Sequence, residues 1–580
     1  MKYDNQAFDE VEHSPIRHGT SYRPGDGATD ALYRSPNVLC ILTLLLFASV
    51  GTMAETVSYS MFNGGLDLAG RDYCVRGEAR DGRFSIRTPD GRSEWLELNV
   101  VARVDGKDLP PFVLANGETD VREAGRYELV YTNVAAGARL SFLPRKVVLA
   151  VTLHRPEPHA VGRVSIGLCQ RTDSDMLFDP SVDCQPYHEF PLSVPRRIAP
   201  GLASPPPWVF AYRKEGRTGC WSVALEPDPD KISFAEFHHV PVRDDRFGWS
   251  VEYCGTPAVS GDLALPPLAL RFGDEDFLAA LRRHVDDLRA EGKIRVPDRR
   301  LPAWHRETIA CTWRYQQEKP RREQATDANC EAFVKMLEDN GISFGTLIID
   351  DFWGKEHGLW EADPKKWKDL RGFIDRQHAK GRHVLLWICT DGEGLPEEER
   401  IAGNQWDLES PAFQARLRAM ARKMLSSDPD CYDADGVKFD FTGAYAVNGR
   451  GQRDFGCGYI LRRYEMLTGA LKSVKPEALL DYQCYNPYFT HTLTMLRLND
   501  YFGAPEHGLR EMSLRARIAS ICAPGALIDT DHVGFRAFSY RGAYDFIRRQ
   551  HEFGVRSLYL MPEDLADEEL MSALRTWRVK

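Results

Sequence analysis

One stretch of the chain, Asp435–Phe441, alternates apolar and charged side chains as a buried strand with a reactive face would. Successive side chains of a strand point to opposite faces, so Lys438 and Asp440 would share one face and the apolar residues the other. This fits a parallel barrel strand, which packs outward under helices and lines a site at its carboxyl end. The lysine would favour the ionised carboxylate that a nucleophile needs, and a structural ion pair is the alternative interpretation.

Polar side chains also follow other apolar runs that have the character of strands. In a parallel barrel these strand ends meet at one rim, where catalytic groups lie. Paired carboxylates beside aromatic platforms indicate glycosidic-bond chemistry, in which one ionised group attacks and one protonated group assists departure. The sequence contains no nucleotide-binding glycine loop and no His-Glu-x-x-His motif. The rim candidates are Arg314, Asp350, Asp351, Trp353, Asp391, Lys438, Asp440, Asn486, Arg497, Asp500, Asp529, Asp531 and His532.

Strand-like and helix-like runs alternate through the second half of the chain. Eight such β/α units, over a length near the ~250-residue norm, predict a (β/α)8 TIM barrel at 303–580. The predicted strands are 308–313, 346–351, 383–388, 435–441, 479–484, 496–500, 525–529 and 557–561. The predicted helices include 327–340, 366–379, one that starts at Pro411 after the cap Ser410, 459–474 and 562–577.

The preceding part of the chain, 55–270, has an all-β character. Short alternating runs separated by turn signals such as Asp105-Gly106 predict a β-sandwich. An apolar stripe at helical spacing predicts a linker helix within 271–302. Packing in the core is the first interpretation for the residues of this domain, and a sugar contact by exposed Trp208 or Trp221 is the alternative.

The strand-end motifs resemble those of a known group of enzymes. Thr346–Trp353 contains Asp-Asp-x-Trp, the fourth strand carries Lys438-x-Asp440, and the sixth carries Arg497-x-x-Asp500. Together they resemble the clan of retaining α-glycosidases that includes glycoside hydrolase families 27, 31 and 36. They look nearest to family 36, the α-galactosidases and raffinose synthase-like proteins. The resemblance covers the barrel, whereas the β domain fits that family only in size and order.

The resemblance implies Asp440 as the nucleophile and Asp500 as the general acid/base, without a metal or a cofactor. Aromatic neighbours of Asp500 would raise its pKa and keep it protonated. Arg497 would lower that pKa, so we expect it to point elsewhere or to bind substrate. The implied sugar ligands and pocket walls are Asp350, Asp351, Trp353, Trp387, Lys438 and Arg497.

Two segments depart from the pattern of family 36. Phe441-Thr442-Gly443 stands where many of its hydrolases have Asn-Arg after the nucleophile, and Cys484–Pro487 stands in place of a glycine-rich cysteine loop. Both positions touch the sugar or the leaving group in that family, so the departures leave the sugar open.

Other candidate residues have weaker functional interpretations. Asp529, Asp531 and His532 are plausible metal ligands, although in a glycosidase such residues more often bind sugar hydroxyls or hold the barrel mouth. The loop residues His357, Asp391 and Glu393 are expected to be solvated.

The remaining composition excludes some partners and indicates export. The net charge is -10 and the basic residues are scattered, so no nucleic-acid partner is expected. An apolar run ending in small residues at 38–54 predicts a cleaved signal peptide, with an N-terminal anchor as the alternative. The polar residues 1–37 that precede it are predicted to be a disordered extension. We therefore expect a secreted or periplasmic protein without a stable membrane partner unless that segment stays uncleaved.

These observations predict a retaining exo-α-glycosidase, α-galactosidase-like, which hydrolyses terminal α-linked sugars through a covalent glycosyl-aspartate. Its partner would be an oligosaccharide or α-glycoside. The alternatives are a transglycosylase on the same scaffold, a non-catalytic carbohydrate-binding protein and a metal-dependent hydrolase.

Overall fold

A computed structural model of the chain describes residues 57–62, 65–89, 95–115, 125–182, 188–201, 203–243, 246–317, 319–445, 455–501, 503–531 and 543–575. The predicted extension at 1–37, the predicted signal or anchor segment at 38–54 and His532 lie outside these residues. Residues 55–580 form one compact unit. Within the part of the chain that the structure describes, no helix is long and apolar enough to cross a membrane.

The amino-terminal half is a β-sandwich, as predicted, built from antiparallel pairs. Its longest strand, Val147–Thr172, pairs with four other strands of the fold. In Trp95–Val104, residues alternate between half-buried and buried, which is the pattern of a strand that packs one face on a core. The described strands are β1 Ser58–Phe62, β2 Gly65–Ala69, β3 Cys74–Glu78, β4 Arg83–Arg87, β5 Trp95–Val104, β6 Lys107–Asp108, β7 Val113–Leu114, β8 Tyr127–Thr132, β9 Ala136–Phe142, β10 Val147–Thr172, β11 Met176–Phe178, β12 Glu189–Pro191, β13 Arg196–Ile198, β14 Val209–Arg213, β15 Cys220–Leu225, β16 Glu236–Arg243, β17 Arg246–Ala264 and β18 Leu268–Asp274.

Stacked aromatic rings fill the centre of the sandwich. Tyr212 stacks on Trp221 with ring centroids 4.2 Å apart and on Phe247 at 5.0 Å. The indole of Trp249 donates a hydrogen bond to the Tyr212 hydroxyl at 2.8 Å, which satisfies both buried polar groups. Trp208 and Trp221 are 1% and 0% exposed, so they are core residues and the alternative of a sugar contact is wrong.

A single helix, α1 (Phe277–Ala290), follows the last sandwich strand. Asp276 caps it by accepting a hydrogen bond from the amide of Ala279. The helix packs on β15 and β18 and on a barrel helix, and Arg271 donates to its Asp287 at 2.7 Å. It therefore belongs to the packed contact between the two halves of the chain.

Eight parallel strands form the barrel. Six consecutive pairings join the first seven strands in chain order, the last strand pairs with the first, and a parallel bridge between Asp529 and Val555 brings the ring close to closure. This confirms the predicted (β/α)8 barrel, although its first strand is shorter than predicted because Trp313 already starts a helix. In chain order the barrel strands are β19 Ile309–Cys311, β20 Thr346–Ile349, β21 His383–Cys389, β24 Gly436–Asp440, β25 Leu479–Tyr482, β26 Met495–Arg497, β27 Leu527–Asp529 and β28 Ser557–Leu558, with a hairpin of β22 Arg400–Ile401 and β23 Gln405–Trp406 after the third.

Amphipathic helices cover the outside of the ring. The helix that begins at Pro411 is capped by Ser410, as predicted, and buries Phe413 and Leu417 on its inner side. The outward face of the fourth strand carries Phe439, whose ring lies 6.0 Å from that of Trp406. The described helices are α2 Trp313–Gln317, α3 Asp327–Asp339, α4 Leu370–Ala379, α5 Pro411–Leu425, α6 Cys457–Val474, α7 Pro505–Cys522, α8 Tyr544–Phe553 and α9 Glu568–Arg575.

A sandwich segment lies directly against the rim of the barrel. The amide of Ser204 donates to the hydroxyl of Thr442 at 3.1 Å, and its side chain donates to Tyr464 at 2.7 Å. At Gly443 a Cβ would lie 2.0 Å from the carbonyl oxygen of Ala203, so only glycine permits this approach. The contact brings the sandwich to the mouth of the barrel.

Candidate active site

A cavity of about 770 Å³ opens at the carboxyl ends of the barrel strands. Asp440 and Asp500, far apart in the sequence, both line it. The structure thereby brings the two predicted catalytic carboxyl groups into one space, together with most of the predicted sugar ligands. The barrel side of the cavity consists of Trp313, Asp350, Asp351, Trp387, Lys438, Asp440, Phe441, Gln483, Arg497, Asn499 and Asp500.

Lys438 pairs with a different carboxylate from the one that its position in the sequence favours. Its Nζ lies 2.6 Å from Oδ2 of Asp350, which follows the second strand. The thiol of Cys311 donates to the same oxygen at 3.0 Å. Burial and Arg497 oppose the charge of Lys438, but Asp350 and Cys311 outweigh them and raise its pKa. Lys438 still lowers the pKa of Asp440, as expected, but its ion pair is with Asp350 because the lysine reaches across the barrel interior.

Asp440 ends the fourth strand and is held by one ion pair and two hydrogen bonds. Nη1 of Arg497 lies 3.3 Å from its Oδ1, and the indole of Trp387 donates to its Oδ2 at 3.1 Å. The amide of Phe441 completes the set at 3.0 Å. Burial opposes ionisation, but Arg497 and then Lys438 outweigh it and lower the pKa of Asp440. The carboxyl group is thus an oriented anion, 18% exposed, at the floor of the cavity.

Asp500 has the opposite electrostatic character. It lies three residues beyond the sixth strand, in a loop where Asn499 has a positive φ of 64°. Burial, and then the charge of Asp531, raise its pKa to about 7 against the opposing charge of Arg497. A carboxyl group with this pKa holds its proton at mildly acidic pH and releases it near neutrality.

Of the two expectations for Arg497, that it points elsewhere is wrong, whereas a role in binding substrate stays a prediction, since Arg497 lines the cavity. Its guanidinium pairs with Asp440 through Nη1 and with Asp531 through Nη2 at 3.1 Å, and it is 2% exposed. The hydroxyl of Tyr559 donates to Asp531 at 3.1 Å as well. Arg497 is occupied by two acidic partners, which explains why it does not hold the pKa of Asp500 low.

Asp351 is held by a residue that the sequence analysis assigned to a solvated loop. Nε2 of His357 lies 2.8 Å from its Oδ1, and Nδ1 of His357 lies 3.9 Å from Asp391. Burial opposes the charge of His357, but Asp351 and Asp391 raise its pKa to about 12. Burial also raises the pKa of Asp351. The expectation that His357 and Asp391 are merely solvated is wrong.

The two tryptophans predicted as pocket walls occupy different places. Both are 1% exposed, but Trp387 lines the main cavity, whereas Trp353 lines a neighbouring cavity of about 450 Å³. The indole of Trp353 donates to the carbonyl oxygen of Trp387 at 2.8 Å, so it supports that wall from behind. Trp313 and Phe441, which is 41% exposed, supply the other aromatic surface of the cavity.

The sandwich supplies the far side of the cavity, which sequence reasoning missed. Phe190, Arg196, Arg197 and His238 all line it. The guanidinium of Arg196 lies 3.7 Å over the ring of Phe190. No local pattern marks these residues, because their place depends on how the sandwich meets the barrel.

The remaining rim candidates hold the fold together. Ser557 donates to Asp529, and Arg497 and Tyr559 bind Asp531, so these carboxylates brace the seventh and eighth strands. Arg314, at 1% exposure, contacts the carbonyl oxygen of Tyr559.

No protein-family model matches the chain, and no curated protein matches it. Among solved structures, a GH31 family sulfoquinovosidase from E. rectale, bound to an aza-sugar inhibitor, is similar with a TM-score of 0.58 and 12% identity, over 89% of this chain and 82% of that chain. The GH36 α-galactosidase AgaA from Geobacillus stearothermophilus, in a variant bound to 1-deoxygalactonojirimycin, is similar with a TM-score of 0.50 and 12% identity, over 90% of this chain and 85% of that chain. A second variant of AgaA, bound to raffinose, gives the same values. The chain therefore shares the fold of these GH31 and GH36 structures.

Proposed function

We propose that the protein is a retaining exo-α-glycosidase that hydrolyses terminal α-linked sugars through a covalent glycosyl-aspartate. One observation supports this more than any other. Two aspartates line a single cavity, and their surroundings move their pKa values in opposite directions, down for Asp440 and up to about 7 for Asp500. That division provides one nucleophile and one proton donor at the same pH.

The first step joins the sugar to Asp440. A carboxylate oxygen of Asp440 attacks the anomeric carbon as the glycosidic bond breaks, and Asp500 gives its proton to the departing oxygen. The indole of Trp387 and the guanidinium of Arg497 hold the attacking carboxylate in one orientation. Fixing the nucleophile in this way lowers the entropic part of the barrier.

The second step releases the sugar with its original configuration. Asp500, now ionised, takes a proton from water as that water attacks the anomeric carbon and displaces Asp440. Two inversions at the same carbon give net retention. A pKa near 7 suits both duties, because Asp500 must give the proton in one step and take it back in the next.

The sugar ligands in this proposal are the charged groups around Asp440. Lys438 and Asp350, paired at 2.6 Å, would share the hydroxyls of the bound sugar with Asp351. Trp387 and Trp313 offer aromatic faces for its apolar side. Galactose is the first sugar to test because AgaA, which has the same fold, was solved with 1-deoxygalactonojirimycin and with raffinose.

The experiment is a screen of nitrophenyl α-glycosides, with galactose and glucose first and sulfoquinovose next, against the Asp440→Ala variant as the blank. We expect wild-type turnover of one sugar and none by the variant. Added azide should restore turnover of the variant and give the β-glycosyl azide, because azide replaces the missing nucleophile on the opposite face. Undiminished hydrolysis by Asp440→Ala would exclude the proposal.

Transglycosylation is a second candidate that one observation favours. The cavity continues past the carboxyl groups to Phe190 and Arg196 of the sandwich, which leaves room for an acceptor sugar in place of water. Product analysis with added acceptor separates the two reactions. Tight saccharide binding without turnover on any α-glycoside would instead identify a carbohydrate-binding protein.

We also propose that the protein is exported from the cytoplasm. The apolar run at 38–54 supports a signal peptide, and a substrate of extracellular oligosaccharide fits a secreted or periplasmic enzyme. Amino-terminal sequencing of the protein recovered outside the cytoplasm should begin just after Ala54. A start upstream of residue 38 in a membrane-bound fraction would indicate an anchor.

A further inference from the structure

One guanidinium holds the backbone of the loop that carries Asp500. Arg515, on the inner side of α7, is fully buried. Its Nη1 lies 3.1 Å from each of three consecutive carbonyl oxygens, those of Leu498, Asn499 and Asp500. The same loop contains Asn499 in the left-handed backbone conformation, which asparagine adopts more readily than most residues other than glycine.

A carboxylate holds the arginine in turn. Nε of Arg515 donates to Oε1 of Glu511, one turn earlier on the same helix, at 2.6 Å. Burial opposes the charge of Glu511, but His188 and Arg515 outweigh it and lower its pKa. The pair is therefore charged and oriented inside the protein, where such pairs are costly to break.

The chain of contacts begins in the sandwich. Nε2 of His188 lies 3.2 Å from the same oxygen of Glu511, and Nδ1 of His188 lies 3.0 Å from the carbonyl oxygen of Asp179. The ring of Phe178 stacks on the imidazole at 5.4 Å. The segment around His188 also lines the cavity, through Phe190. One set of contacts thus joins the substrate side of the sandwich to the loop of the acid.

From these contacts we infer that Arg515, seated by Glu511 and His188, is a positioning residue that aims the carboxyl group of Asp500 at the leaving-group oxygen. The inference rests on the proposed function, since it assigns Asp500 the role of proton donor. Arg515 acts on the backbone of the loop, whereas Arg497 and Lys438 are the cations that oppose the raised pKa of Asp500. Loss of Arg515 should therefore displace the carboxyl group of Asp500 and leave its pKa largely unchanged.

The test compares leaving groups in the Arg515→Lys variant. Proton donation matters most for a poor leaving group, so kcat/KM for a phenyl α-glycoside should fall about tenfold more than for the 2,4-dinitrophenyl glycoside of the same sugar. The basic limb of the pH profile should stay near its wild-type position. Glu511→Gln leaves Arg515 in place, so the loss of kcat/KM should again be larger for the phenyl glycoside than for the dinitrophenyl glycoside, by a smaller factor.

The matched control is Arg299→Lys. Arg299 also binds three backbone carbonyl oxygens, those of Thr490, Leu493 and Pro524, but these precede the sixth and seventh strands, at the far end of the barrel from the cavity. The same substitution there should lower kcat/KM for both glycosides by equal factors. An equal loss for both substrates in Arg515→Lys, or the same split in Arg299→Lys, would overturn the inference.

A crystal structure of Arg515→Lys tests the inference without substrate. The carbonyl oxygens of 498–500 should turn away from their wild-type directions, and an unchanged loop would overturn the positioning role. Wild-type protein that cleaves neither glycoside would instead count against the proposed function, so the two failures are distinguishable.

Discussion

The ends of the fourth and sixth barrel strands carry the same residue type in one cavity, yet the two sites differ in every other respect. Asp440 receives hydrogen bonds from Trp387 and the amide of Phe441 and an ion pair from Arg497, and its pKa falls. At Asp500, burial and a nearby carboxylate dominate, and the pKa rises to about 7. The difference teaches that donors and neighbouring charges, rather than residue type, set the two pKa values on which the proposed roles depend.

Asp440→Asn removes the proposed nucleophile and should have the largest effect. Without a nucleophile no covalent intermediate forms, so kcat/KM should fall by at least about 10³-fold for every leaving group. Steady-state kinetics on the phenyl and dinitrophenyl glycosides, with thermal melting as the folding control, would check this. A loss confined to the phenyl glycoside would mean that Asp440 is the acid instead.

Asp500→Asn should give a loss that depends on the leaving group. Turnover of the phenyl glycoside should fall by about 10²- to 10⁴-fold, because its departure needs the proton, while formation of the intermediate from the dinitrophenyl glycoside should change little. Single-turnover kinetics separate that step from hydrolysis of the intermediate. Azide should then yield the α-glycosyl azide, the opposite anomer from that formed by Asp440→Ala.

Arg497→Met tests whether one cation acts on both sides of the comparison, because its loss should raise the pKa values of both carboxyl groups. The wild-type kcat/KM should decline above about pH 7 as Asp500 loses its proton, and should decline at low pH as Asp440 gains one. Removing a cation that lowers both pKa values should shift both limbs to higher pH. A shift of the basic limb alone would show that Arg497 does not act on Asp440.

Trp387→Phe should have the smallest effect of these substitutions, on the pKa of Asp440 alone. It removes one donor to Asp440 and keeps an aromatic wall, so the pKa of Asp440 should rise modestly and only the acidic limb should move upward. We expect a loss of about threefold on the acidic limb, at pH values below the pKa of Asp440, and little change near neutral pH, from a hydrogen bond to a charged group weakened by partial solvation. A pH-rate profile checks this, and movement of the basic limb would contradict it.

The barrel could be predicted because its signals are local. Each strand is a short apolar run, and helix starts such as Ser410-Pro411 have recognisable caps. The inward direction of Lys438 also followed from the period of two. Its partner did not, because layers inside such a barrel are built from alternate strands, which brings Lys438 of the fourth strand to Asp350 after the second.

The missed parts of the site depend on contacts between distant segments. His357 acts on Asp351 only because its loop folds back over the second strand end. Arg196 and Phe190 reach the cavity only through docking of the sandwich. Neither event has a signature in the local sequence, so only the assembled structure reveals them.

The close approach at Gly443 has a practical consequence for engineering this protein. Residues 203–206, called the strip below, pack closely against the mouth of the barrel: Ser204 binds Thr442, and Asn486 donates to the carbonyl oxygen of Pro206 at 2.9 Å. A barrel excised near residue 303 would lose this strip and expose the loop next to Asp440. Any chimera that transplants the barrel must bring the strip along with it.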